Sequence, residues 1–126
     1  MHRSLIFVAA CLFAALSAAQ AGQRDSDRVF SQDELANLLT DHAVEFFSGG
    51  VSRFRGDGAY SFKYTDSDPP HLGSYEVLDK GQVCVQFLNG STRCDTFVDD
   101  GTRMVLIIED GTRFPVRDHR PLVDGY

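Results

Sequence analysis

The sequence has no tryptophan, only four prolines, and lysine only at Lys63 and Lys80. Its 12 Lys and Arg residues stand against 18 Asp and Glu, for a net charge of −6. A chain this short of cations has no basic stripe to follow a phosphate backbone, which argues against a nucleic acid partner. The same shortage disfavours an anionic membrane surface. Eleven glycines and four prolines in 126 residues are too few for a fibrous or low-complexity chain, while 43% hydrophobic content is too much for a disordered one. The nucleophile elbow, phosphate loop, dinucleotide fingerprint and zinc-protease helix are also missing, so no local motif nominates an enzyme. Length and composition are those of one small globular domain.

The apolar content that is present concentrates in residues 4–19, centred on Leu5-Ile6-Phe7-Val8-Ala9-Ala10-Cys11-Leu12-Phe13. Arg3 precedes this run and Ala19-Gln20-Ala21 follows it, the pattern of a secretory signal peptide over residues 1–21 cleaved after Ala21. The run falls short of the roughly 20 apolar residues that span a bilayer. Cys11 lies inside the run and not at its end, which argues against a lipid anchor. The expected location is periplasmic or secreted, with no stable membrane anchor after cleavage. Cleavage removes Arg3 and no acid, taking the net charge from −6 to −7, and it removes Cys11.

Cys84 and Cys94 then remain, an even pair in an oxidising compartment, where a disulfide is the default. Between them, Leu88-Asn89-Gly90 reads as a three-residue hairpin loop with Gly90 in the left-handed conformation. Its register pairs Phe87 with Ser91, Val85 with Arg93, and Cys84 with Cys94, so the two thiols stand opposite each other at bridging distance. A two-residue Asn-Gly turn would offset the cysteines by one and put them on opposite faces. A redox pair is the alternative, but catalytic pairs sit as Cys-x-x-Cys at a helix start.

Residues 22–30 read as a flexible leader, polar and charged over most of their length. Ser31-Gln32-Asp33-Glu34 forms a capping box, and Leu35, Leu38 and Leu39 recur at helical spacing, predicting one short helix over 32–40. Phe30, just before the cap, suits a hydrophobic staple. From Ala43 onward the apolar period is two. Turn signals recur at Gly49-Gly50, Asp57-Gly58, Asp68-Pro69-Pro70, Asp79-Lys80-Gly81, Asn89-Gly90, Asp100-Gly101 and Asp110-Gly111. Such spacing predicts a mostly β domain over 31–117, an antiparallel meander of about six to eight strands closed as a small barrel or stacked as a sandwich. Residues 103–109, apolar almost without a break, read as the most buried strand. Residues 118–126 read as a C-terminal tail.

Few residues are candidates for a site. Tyr60, Phe62 and Tyr64 share one strand face; such a stripe is either core or the lining of a ligand cavity. Asp66, Asp68 and His71 put two carboxylates and an imidazole in one loop, a possible cation set, against the plainer reading of a stiff polar connector. Arg55-Gly56-Asp57 spells an integrin tripeptide but leads into an ordinary turn. Asn89-Gly90-Ser91 is a glycosylation sequon at a turn that already demands Asn-Gly. No residue is nominated as catalytic and no cofactor is expected.

Gly58-Ala59-Tyr60-Ser61-Phe62, Gly73-Ser74-Tyr75-Glu76-Val77, Val83-Cys84-Val85 and Arg93-Cys94-Asp95-Thr96-Phe97 together resemble small exported β-domains of proteobacteria, over about residues 43–117. That resemblance implies a periplasmic β-domain and carries over no catalytic residues. A fainter likeness, in length and single disulfide, is to the periplasmic metalloprotease inhibitors, small lipocalin-like barrels. The expected function is a non-enzymatic binding domain for an envelope protein or a small molecule. The alternatives are a protease inhibitor acting through residues 22–28 and a metal-assisted hydrolase using Asp66, Asp68 and His71.

Overall fold

The structure, a computed structural model, describes residues 21–123, so the signal peptide expected over 1–21 lies, apart from Ala21, outside the described residues. The chain runs β1 (Arg28–Val29), α1 (Gln32–Leu39), β2 (His42–Phe46), β3 (Val51–Phe54), β4 (Ala59–Lys63) and β5 (His71–Val77). It continues through β6 (Gln82–Phe87), β7 (Thr92–Asp99), β8 (Met104–Ile107) and β9 (Arg113–Pro121). β2 to β9 pair in sequence, each antiparallel to the next, and β9 returns to pair with β2. The result is a closed eight-stranded barrel, not a sandwich, with β1 added along β7. Closure leaves no unpaired edge among these eight strands.

Helix α1 starts where the capping box places it. The Ser31 hydroxyl accepts from the Glu34 amide at 3.2 Å, and the Ser31 amide donates to the Glu34 carboxylate. Phe30 and Leu35, the two members of the staple, are buried in one cluster with Leu39, Phe54, Val83 and Phe97. Since α1 leads directly into the start of β2, and the strands alternate in direction, one end of the barrel is covered by the helix. The loops 47–50, 64–70, 88–91 and 108–112 form the opposite, open end.

The seven hairpin connections fall on the seven turn signals. In the β6–β7 hairpin, Gly90 has φ 89° and the Phe87 amide donates to the Ser91 carbonyl at 2.8 Å. Cys84 stands opposite Cys94 with 4.1 Å between their Cα atoms, and the two are joined in a disulfide. Inward positions of the strands alternate as Phe54, Tyr60, Val85, Phe97, Leu106 and Val116, all buried in the main cluster. An eight-stranded barrel has an interior that side chains just fill, and these fill it.

Two segments differ from the sequence expectation. Residues 22–30 are not a loose leader: Arg28 and Val29 pair with Asp99 and Val98, and Phe30 is core. Val98, Val105 and Ile107 point outward, away from Phe97 and Leu106, yet are completely buried, because this strap runs over them. Its anchor is a two-pronged ion pair 86 residues apart in sequence, Arg113 Nη1 to Asp27 Oδ2 at 2.6 Å and Nη2 to Oδ1 at 2.9 Å. The strap also explains why β8 is apolar on both faces. Residues 118–121 are not a tail but the second half of β9, with His119 opposite Val44 and Pro121 opposite His42. A register shift between Glu45 and Phe46 gives β9 an extra residue there, which breaks its period-two pattern.

Candidate functional site

Tyr60, Phe62 and Tyr64 climb one inner face of the barrel from its core to its open end. Tyr60 is core: its ring packs on Phe54 and edge-on to Phe87, with centroids 5.3 and 5.9 Å away. Its hydroxyl lies 3.0 Å from the buried Ser52 hydroxyl, and burial pushes the phenol pKa up to about 12. Phe62 is partly buried against the same cluster. Only Tyr64 emerges, 61% exposed, edge-on to both Phe62 and His71 at the lip. The stripe therefore splits into core below and lip above.

Beside it an ion pair enters the barrel wall. Arg93 Nε donates to Asp95 Oδ2 at 2.7 Å, with the aspartate buried and the arginine reaching outward. Burial pushes the Asp95 carboxyl above its ordinary range, and Arg93 partly offsets this. Sequence reading passed over this pair. Its only signal was two charges at alternate positions of a strand beside Cys94, where inward polarity is the exception.

His71 begins β5, and Asp66 and Asp68 lie in the loop before it, all three at the open end. Among the described residues, no three His, Cys, Asp or Glu side chains are grouped so as to hold a metal ion. The loop thus brings these three together in sequence without forming a ligand set from them. His42 and His119 are at the other end. Their rings stack 4.6 Å apart and 6° from parallel. His42 Nδ1 donates to the Thr40 carbonyl at 2.7 Å and His119 Nε2 to the Leu38 carbonyl. They satisfy carbonyls that the last turn of α1 leaves unpaired, which accounts for both histidines as structural.

Exposed large apolar side chains are unevenly distributed. Phe47 (55% exposed), Tyr64, Leu72 (49%) and Leu88 (79%) lie at or beside the open end, whereas Val29 and Val123 (70%) lie toward the helix end. Arg103 covers one of them, its guanidinium 4.9 Å from the Phe47 ring centroid. The helix end carries a cleft of about 530 Å³ floored by Phe30, Leu38 and Met104. Its charges are matched internally: Arg28 reaches Glu34 at 2.9 Å and Asp99 at 3.6 Å. That cleft calls for no charged ligand, whereas at the open end Tyr64, Leu72 and Leu88 are exposed among the described residues.

No family model, no curated protein and no solved structure matches this chain, so the reading of its function rests on this geometry.

Proposed function

We propose that this chain is an exported, non-enzymatic binding module whose partner docks on the open end of the barrel. One observation carries the reading. The interior is filled by its own side chains, while Tyr64, Leu72 and Leu88 stand exposed together at the rim opposite the helix. Exposed apolar groups gathered at one place mark an interaction surface more often than scattered ones do. A carrier that encloses its ligand would need the space that Tyr60, Phe54 and Phe97 occupy. Export is supported by the signal pattern of residues 1–21, by the Cys84–Cys94 bridge and by the likeness to exported proteobacterial domains.

An inhibitor acting through a free segment 22–28 has less support, because Asp27 and Arg28 are tied to Arg113 and Asp99. The test of the main reading is retention of envelope proteins by the immobilised protein. The Tyr64→Ser, Leu88→Ser double variant should retain at least tenfold less of the same protein, with an unchanged melting temperature. Equal retention by the variant, or none by either protein, would contradict docking at the rim.

A further inference from the structure

The tip of the β6–β7 hairpin carries Asn89-Gly90-Ser91, and residues 88–91 are all exposed. The turn fixes the asparagine side chain as well as the backbone. Asn89 Oδ1 accepts from the Ser91 amide at 2.9 Å and from the Ser91 hydroxyl at 2.6 Å. Gly90 follows with φ 89°, and nothing lies within 4 Å of the place a Cβ would take. With no Cβ after the asparagine, the next backbone nitrogen can close a five-membered ring on the side-chain amide without crowding. Negative charge develops on Oδ1 in that attack, and the two Ser91 donors already sit on it, as in an oxyanion hole. One bond opposes the attack, from the Gly90 amide to the Phe87 carbonyl at 3.0 Å. It closes the exposed end of the hairpin, where local opening costs least.

We infer that Asn89 is a site of self-catalysed modification, in which Ser91 speeds the loss of the side-chain amide and water is the co-reactant. Hydroxide takes the Gly90 amide proton, and the nitrogen forms a bond to Asn89 Cγ while the carbonyl electron pair moves onto Oδ1. The Ser91 amide and hydroxyl hold that oxyanion. The pair then returns to re-form the carbonyl, the Cγ–Nδ2 bond breaks, and the nitrogen takes a proton from water and leaves as ammonia. Water next adds to one of the two ring carbonyls. Breaking the ring at Cγ gives an ordinary aspartate, and breaking it at the main-chain carbonyl carbon gives an isoaspartate. Either product adds a carboxylate beside the exposed Leu88, and the isoaspartate lengthens the main chain of the turn by one carbon. The Cys84–Cys94 bridge keeps the strands in register below the tip, so the change stays within the turn. Asn37 is exposed as well, but Leu38 follows it and both lie within α1, whose ladder holds the attacking amide. The inference does not depend on the reading of the rim as a docking face.

The experiment is a time course of the folded, disulfide-bonded protein, purified after expression of the complete chain and incubated at neutral and mildly alkaline pH. Mass spectrometry should show a gain of about 1 Da per chain. Tryptic mapping after reduction should confine that gain to residues 81–93, in aspartyl and isoaspartyl forms, with none at Asn37. The rate should rise with pH, because hydroxide frees the nucleophile. Asn89→Gln, whose longer side chain would need a six-membered ring, should abolish the gain. Ser91→Ala should slow it severalfold at an unchanged melting temperature, and Ser91→Thr, which keeps the hydroxyl, should restore most of the rate. No mass gain, a gain that persists in Asn89→Gln, or a rate indifferent to pH would overturn the inference. So would a Ser91→Ala variant that reacts as fast as the wild type, since the hydroxyl on Oδ1 would then contribute nothing.

Discussion

Asp27 and Arg113 hold the strap to the barrel, and their side chains are 0% and 12% exposed. Removing one partner of a buried pair leaves the other charge without compensation, which costs about 3–5 kcal/mol. Asp27→Asn should therefore lower the unfolding free energy by about 3–5 kcal/mol, measured by urea unfolding. The pair also sets an acid limit. The hydrogen bonds from Arg113 hold the Asp27 carboxyl below its ordinary range. The stability it supplies is complete above the unfolded carboxylate pKa of about 3.9 and is lost as pH falls from there through the depressed folded value. The wild type should lose stability over that acid range more steeply than Asp27→Asn, which has no carboxyl at this position to titrate. At the alkaline side, Tyr60 should ionise near 12 in an absorbance titration. A core place for Tyr60 was one of the two readings of its stripe, but the Asp27–Arg113 pair was not legible in sequence. Asp27 sat in a polar stretch with nothing local to point to a partner 86 residues away.

At the scale of elements, local chemistry was legible and long-range closure was not. The capping box, the staple and all seven turns are written in short runs of residues whose backbone preferences act locally. The β6–β7 register followed from Gly90 alone, and the opposed cysteines followed from that register. The second half of β9 escaped notice because Pro121 and the extra residue at its bulge hide a period that only its pairing with β2 reveals. β1 is two residues long, too short to carry a period at all. The bridge closes a loop of about ten residues, for which chain entropy predicts somewhat under 3 kcal/mol. Replacing both Cys84 and Cys94 by alanine should cost about that much in urea unfolding, and a change below about 0.5 kcal/mol would deny the bridge a stabilising role. Deleting residues 22–28 should destabilise the fold, by loss of β1 pairing and of cover over Val98, Val105 and Ile107. A truncated chain as stable as the whole would show that the strap is not part of the barrel.

At the scale of the molecule, the barrel has two unlike ends. One is covered by α1, with His42 and His119 satisfying its last carbonyls. The other exposes Tyr64, Leu72 and Leu88 at or beside its rim. The sequence announced a β meander and its aromatic stripe, but which end was which depended on where the helix fell relative to closure. The candidate stripe proved to be core at Tyr60 and surface at Tyr64, a division set by distance along a strand that composition cannot register. The central claim is that partners meet the open end. Its most direct test is photo-cross-linking in the intact envelope, with a photoreactive residue placed singly at positions 64 and 88 and, at the helix end, at 57, 79 and 102. The account predicts one defined adduct from 64 and 88 and none from the other three. Equal adducts from both ends, or adducts from the helix end alone, would contradict it.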